Sequence, residues 1–284
     1  MRKLGKCFTR LQVIDRLKGQ VEKGRLILVF GAGIGLTAKC AELGGADIIC
    51  VYSTARYRMM GKPSIMAWLP YSNCNEMMLE MSHEILSVVT DTPCVAGIGA
   101  HDPAADLEGM LNTILKLGYS GITNEPFVGM YGAEFGDQLE KAGIGFSREV
   151  ELIRMAREKD IFTLAWAFTP DEARDMAEAG ADVIGAMIGV TSGGLTGAGE
   201  TMTLEAAAEQ VRRICAAARE VNPDVMVVTH GGPIKDVPSA AFSVTKTGAV
   251  GYVAGSSGER IPTEKAVIEL AKEFKRVEVK RQIE

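Results

Sequence analysis

Two arginines one residue apart, Arg56 and Arg58, follow an apolar run that ends in Tyr52. Guanidinium groups at such a position can grip a carboxylate or phosphate through paired hydrogen bonds. Further along, Asn124-Glu125-Pro126 closes a second apolar run. A carboxylate there can serve as a general acid or base once partial burial raises its pKa, with the Asn124 amide orienting a polar substrate atom. His230-Gly231-Gly232 and Ser256-Ser257-Gly258-Glu259-Arg260 close two later runs. They offer an imidazole, two hydroxyls, a carboxylate, a guanidinium and sterically open backbone amides. Gly31 and Gly33, in Gly31-Ala32-Gly33-Ile34-Gly35, bring backbone amides to the end of the first run. That segment lacks the complete dinucleotide-binding spacing. Glu125 and His230 are thus the acid/base candidates. Gly31, Gly33, Tyr52, Arg56, Arg58, Gly231, Gly232, Ser256, Ser257, Glu259 and Arg260 are the candidates for holding a small anion.

These residues share one kind of address, the end of a strand. Apolar strand-like runs at Leu26–Phe30, Asp47–Tyr52, Cys94–Gly99, Gly121–Asn124, Phe162–Phe168, Val183–Ile188, Val225–Thr229 and Val250–Ala254 alternate with helix-period segments. Most are continuously apolar, as parallel strands covered on both faces must be. The helical segments include Leu107–Leu117, Arg148–Lys159, Pro170–Ala179, Leu204–Glu220 and Thr263–Arg276. Every even-numbered strand is entered from a helix closed by glycine: Gly44-Gly45, Gly118, Gly180 and Gly248. Eight strands in unbroken succession, with no sign of a sheet edge, predict a (β/α)8 barrel rather than an open doubly wound sheet. Phe8–Lys23 reads as an extra N-terminal helix within residues 1–24, closing the barrel bottom, and no linker divides 1–284 into further domains. In such a barrel chemistry gathers at the C-terminal strand ends, here beneath loops at 52–70, 124–136 and 229–260. The stretch from Tyr52 to Tyr71 is expected to be an irregular lid, and Gly189–Gly197 a mobile loop rich in backbone donors. His101 is a weaker acid/base candidate, because Asp102-Pro103 is also an ordinary helix entry. Trp68 is expected to pack the lid, and Trp166 to form an aromatic wall or core packing.

Composition excludes several functions. The chain has 284 residues, 47% hydrophobic and 24% charged, with a net charge of −5. An acidic balance disfavours nucleic acid as a partner. No apolar run reaches the roughly 18 residues of a membrane span. The first ten residues lack the apolar core of a signal peptide. Six dispersed cysteines, with no C-x-x-C pair, read as free thiols in a reducing, cytoplasmic setting. No histidine pair or clustered acids give good metal-ligand spacing, so no cofactor is expected, with a divalent metal left open. No G-x-S-x-G elbow occurs. The partner expected is a small anionic metabolite, and the chain is expected to form a homo-oligomer.

Taken together, several segments resemble the TIM-barrel family described as phosphoenolpyruvate hydrolase-like, which also forms the C-terminal domain of the tomato mosaic virus resistance protein Tm-1. They are Val51-Tyr52 with Arg56-Tyr57-Arg58-Met59, Thr169-Pro170-Asp171-Glu172-Ala173, Met176 to Asp182, His230-Gly231-Gly232-Pro233-Ile234 and Ser256 to Pro262. The resemblance implies the barrel and an activity on phosphoenolpyruvate- or phosphonopyruvate-like substrates, by hydrolase or lyase chemistry. It also implies an alternative, a ligand-sensing or protein-binding barrel without turnover. Glu125 stands where the family pattern implies an aromatic residue, and Met187 where it implies a histidine.

Overall fold

In a computed structural model, residues 4–199 and 202–279 are described. Eight parallel strands close into a barrel in sequence order: β1 Ile27–Gly31, β2 Ile48–Val51, β3 Cys94–Gly97, β4 Gly121–Thr123, β5 Phe162–Ala167, β6 Val183–Met187, β7 Met226–His230 and β8 Gly251–Ala254. The eight sequence-predicted strands are all present, each trimmed or shifted by a residue or two. The glycines that precede the even strands behave as anticipated. Gly45, Gly118, Gly180 and Gly248 all take left-handed backbone angles, with φ between 87° and 112°.

Eleven α-helices surround the ring among the described residues. They are α1 Arg10–Glu22, α2 Gly35–Leu43, α3 Ser53–Met59, α4 Cys74–Ile85, α5 Leu107–Leu117, α6 Gly132–Lys141, α7 Phe146–Glu158, α8 Pro170–Glu178, α9 Leu204–Val221, α10 Val237–Thr247 and α11 Arg260–Lys275. The extra helix α1 is shorter than Phe8–Lys23 because Thr9 caps it, exchanging hydrogen bonds with Gln12 in a capping box. Val13 and Leu17 of α1 join the barrel-interior cluster beside Ile27 and Phe162. Arg10 fastens the helix to Asp182 at the start of β6, Nη2 to Oδ1 2.6 Å. None of these helices is long and apolar enough to cross a membrane.

Two apolar layers follow from the period of two along a strand. Outward residues such as Ile49, Ala96, Ile122 and Ile184 pack under the helices. Inward residues such as Ile27, Val29, Ile48, Cys50, Leu164, Val183 and Val228 fill the barrel. One step further up each strand, the inward positions are Gly31, Tyr52, Gly97, Glu125, Trp166, Met187, His230 and Gly255. Glycine here makes room. A β-carbon on Gly31 would lie 2.1 Å from the Tyr52 hydroxyl, and one on Gly185 2.5 Å from the Trp166 ring. One on Gly97 would lie 2.4 Å from the Tyr52 Cβ. The five bulky residues Tyr52, Glu125, Trp166, Met187 and His230 therefore share a layer in which the other three positions are glycine.

The loop after β2 differs from the irregular lid expected. It opens with α3 and contains a 3-10 turn at Ser64–Trp68 before α4. Ser53–Met59 contains no Gly or Pro, and once Tyr52 is fixed in the barrel it can wind directly into a helix.

Candidate functional site

The mouth layer surrounds a narrow, closed cavity of about 30 Å³, room for little more than a water molecule until its roof moves. Tyr52, Thr54 and Arg58 form one wall, and Glu125, Trp166, Met187 and His230 form the floor. Trp68, Phe127 and Met130 roof it, with Thr191 and Ser256 closing the far side. The roof is held shut by polar and aromatic contacts. Trp68 Nε1 donates to the Phe127 carbonyl at 2.7 Å, and the two rings lie 5.2 Å apart.

Arg58 is buried and paired with buried Glu259, with Nε and Nη2 donating to Oε2 at 3.1 and 2.8 Å. The other oxygen of Glu259 accepts from the Gly33 amide at 2.7 Å and from the Thr37 hydroxyl at 3.0 Å. Burial pushes the Glu259 carboxyl up, while Arg58, the Gly33 amide and Thr37 pull it back. One ion pair thus ties β1, α2, α3 and the start of α11 together beneath the mouth.

Glu125 lies in the same mouth without such a net. It is 4% exposed, and its carboxylate makes no hydrogen bond of good geometry among the described residues. Burial pushes it up to about 7, against the opposing pull of Arg58 and Thr54. His230 donates Nδ1–H to the Val253 carbonyl at 2.7 Å, if it adopts the tautomer that this acceptor demands. Nε2 is then an acceptor on the side facing the cavity. Burial first, and the Arg58 charge in addition, hold His230 down to about 4, so the ring is neutral at neutral pH. Two buried donors, Trp166 Nε1 and Thr54 Oγ1, have no hydrogen-bond partner among the described residues. Native interiors rarely leave such groups unpaired, and here both line the cavity.

The structure brings together Glu125, His230, Tyr52, Arg58 and Ser256 from the sequence-predicted set. It removes others for clear reasons. Asn124 is fully buried and both ends of its amide are consumed. Its oxygen accepts from the Trp166 amide at 2.8 Å, and its nitrogen donates to Glu149 on α7. It braces β4 against β5 and cannot orient a substrate atom. Arg56 points away from the mouth, to the Gly33 carbonyl at 3.2 Å and Glu84 on α4 at 3.4 Å. Residues two apart on a helix diverge by about 200°, so only one of the two arginines can face inward. Gly31 yields its space to Tyr52, and the Gly33 amide is spent on Glu259. Gly231 and Gly232 stitch the β7 loop to the β6 loop: Gly232 donates to the Gly189 carbonyl at 3.1 Å and accepts from the Ser192 amide at 3.0 Å. The same bonds give the Gly189–Gly197 loop a fixed entry. Ser257 is bonded to Tyr252, and Arg260 to Glu264 and the Gly193 carbonyl. His101 faces a separate groove with Cys74 and Tyr131. Sequence reasoning missed Thr54 and Thr191. The signal for Thr54 was its place four residues before Arg58, one helical turn along α3.

No cluster of three or more metal-ligating side chains occurs among the described residues. The cavity offers Glu125 as its one uncommitted carboxylate, beside the guanidinium of Arg58. This donor set does not fit Mg²⁺, which needs several oxygen ligands and no adjacent cation.

A closed parallel barrel with a small acid-bearing cavity at the C-terminal strand ends is the TIM-barrel arrangement. Within that class, the chain belongs to the phosphoenolpyruvate hydrolase-like family, whose model matches residues 12–277. It is 39% identical over 269 residues to the ToMV susceptible protein tm-1(GCR26) of Solanum lycopersicum, covering 94% of this chain and 36% of that protein. The chain therefore spans about a third of the length of that relative. Among solved structures, 2,3-dimethylmalate lyase aligns with a TM-score of 0.62 at 15% identity, over 98% of this chain and 92% of that one. A phosphonopyruvate hydrolase in complex with oxalate and Mg²⁺ aligns with a TM-score of 0.55 at 18% identity, over 93% and 86%. At these identities the likeness concerns the fold.

Proposed function

We propose that the barrel is an enzyme acting on a small carboxylated or phosphorylated metabolite of the phosphoenolpyruvate- or phosphonopyruvate-like class, admitted when the aromatic roof opens. The reaction class is hydrolysis or lyase-type cleavage, with Glu125 moving the proton. The observation that carries this reading is one cavity lined by an uncommitted buried carboxylate and by two buried, unpartnered donors. Arg58, whose charge faces the cavity behind its pairing with Glu259, binds the substrate anion together with the Ser256 hydroxyl. Thr54 and Trp166 donate to a second substrate oxygen, on which charge grows as the bond breaks. Glu125, titrating near neutrality, delivers a proton to the leaving atom or takes one from substrate or water. Neutral His230 accepts a hydrogen bond from a substrate hydroxyl or from that water through Nε2. The aromatic roof excludes bulk solvent, which strengthens each of these polar contacts. No step requires a metal.

The test is a panel of 2-oxo acids, hydroxy acids and phosphonopyruvate, followed by proton and phosphorus NMR. Turnover of one member is expected, with a rate about 10²–10⁴-fold lower in Glu125→Gln and binding by calorimetry retained. Turnover unaffected by that substitution would remove Glu125 from the chemistry. Tight binding without turnover would favour the second reading, a ligand-sensing barrel. The likeness to a ToMV susceptibility protein, in which this barrel is only 36% of the length, supports that alternative.

A further inference from the structure

A second hollow opens on the outer side of the mouth's roof. It is a groove of about 390 Å³, within the range of small-molecule sites. Of the residues that line it, Trp68 alone also lines the mouth cavity. The walls are aromatic for local reasons. Trp68 ends the 3-10 turn of the β2 loop, and Tyr131 and Phe135 stand four residues apart across the start of α6, which puts them on one helix face. Their ring centroids lie 5.4 Å apart with the planes tilted by 55°, and the His101 ring meets Tyr131 edge-on at 6.2 Å. The rings border a common space rather than stacking on one another, and Phe135 is 53% exposed.

The charge in this groove has one sign. Asp102, in the loop after β3, is the one ionised side chain that lines it. Its carboxylate accepts from the Asn73 and Asn75 side chains at 2.8 and 3.3 Å and from the Ala104 amide at 2.9 Å. Burial pushes the Asp102 carboxyl up, but these bonds outweigh it and hold the group below its ordinary value, so the charge persists at neutral pH. Three of a carboxylate's roughly four lone-pair sites are thereby filled, so Asp102 supplies field more than contact. Burial pushes the Cys74 thiol up to about 11 and holds His101 below its usual value, which leaves both neutral. The neighbouring cation Arg148 donates to the Ala105 carbonyl at 2.8 Å and does not line the groove. His101 adds a directional group. Its Nδ1 is buried without a hydrogen-bond partner among the described residues, a state that native interiors seldom tolerate. In the Nε2–H tautomer that atom is a free acceptor.

We propose that the groove binds an organic ammonium ion, a positively charged nitrogen with at least one N–H carried on an apolar or aromatic body. The cation lies against the faces of Tyr131 and Phe135, whose ring quadrupoles attract it, within the field of Asp102. Its N–H donates to His101 Nδ1, and its body rests on Trp68 and Leu69. Asp102 repels an anion, and an apolar molecule without a donor leaves His101 unpaired. The groove is thus opposite in sign to the mouth, where the charge of Arg58 faces the cavity.

The probe is benzylammonium, titrated into the full chain near neutral pH by calorimetry, with benzyl alcohol as its neutral counterpart. One-to-one binding is expected, with a Kd at least about 10-fold lower for the cation than for the alcohol, and no displacement by excess benzoate. Nitrogen-15 NMR should show the ring nitrogens of His101 shifting on binding while those of His230 stay in place. Phe135→Leu removes one ring from an exposed position, so the fold is retained, and should raise the Kd about 3- to 30-fold, whereas Phe135→Tyr should keep the parent affinity. Asp102→Asn should erase the preference for the cation over the alcohol. Absence of saturable binding, equal affinity for the alcohol, displacement by benzoate, or binding unchanged in Phe135→Leu would overturn the proposal.

Discussion

Two buried glutamates share the mouth of this barrel, and Arg58 is close to both. Glu259 accepts four hydrogen bonds, two from Arg58, one from Gly33 and one from Thr37. Glu125 has Arg58 and Thr54 as neighbours but no hydrogen bond of good geometry among the described residues, and its carboxyl is pushed up to about 7. The same residue type at nearly the same depth therefore does two kinds of work. A saturated carboxylate fixes elements in place and has no lone pair to offer. An unsaturated one is destabilising by itself, and such strain persists where a ligand or a reaction uses it. Glu149, outside the barrel, is an intermediate case: it accepts from the Val128 amide and Asn124, and burial still pushes its carboxyl up to about 8.

The sharpest way to break this contrast is to delete the saturated partner. Glu259→Ala should lower stability by about 3–5 kcal/mol in urea denaturation, because it strands the Arg58 guanidinium in the interior. A loss below 1 kcal/mol would mean that the pair is dispensable. Next in size is Asn124→Ala, which leaves the Trp166 amide and Glu149 unsatisfied and should cost about 2–3 kcal/mol. A normal melting temperature with lost ligand binding would return Asn124 to the site. Gly185→Ala pushes a methyl into the Trp166 ring and should cost about 1–3 kcal/mol by overpacking. A crystal structure of the variant should show Trp166 displaced into the cavity. The smallest effect belongs to Arg56→Ala. Its pair with Glu84 is solvent-exposed, so stability should change by less than about 1 kcal/mol with ligand affinity intact. Weakened anion binding there would show that the lid rearranges to bring Arg56 inward.

The comparison also shows what a sequence can reveal. Strand alternation and the glycines before even strands were legible because backbone conformation and period leave local marks. Gly118 and Gly248 at helix ends are such marks. The mouth was legible as a set of addresses, since residues that end barrel strands must converge. Orientation was not legible. Whether Arg56 or Arg58 turns inward depends on the helical phase of α3, which begins where an irregular lid was expected. Nor could spacing show that Gly33, Asn124, Ser257 and Arg260 would be consumed by partners 4 to 226 residues away. Hydrogen-bond saturation is a property of the closed ring, and the difference between Glu259 and Glu125 exists only there.

One substrate-independent measurement tests that difference most directly: unfolding free energy of the parent chain and of Glu125→Gln from pH 4 to pH 8. The Glu125 carboxyl has an ordinary value of 4.5 when unfolded and about 7 when folded, so the folded state holds its proton more tightly. Its contribution to stability is fully present below pH 4.5 and is lost as pH rises through 7. Glutamine has no such proton, and the lowered pKa of His230 acts equally in both proteins. The variant should match the parent near pH 4 and exceed it by about 3 kcal/mol at pH 8. A variant that instead becomes less stable than the parent as pH rises would show Glu125 to be a structural ion pair with Arg58, and would contradict its assignment as the group that moves the proton.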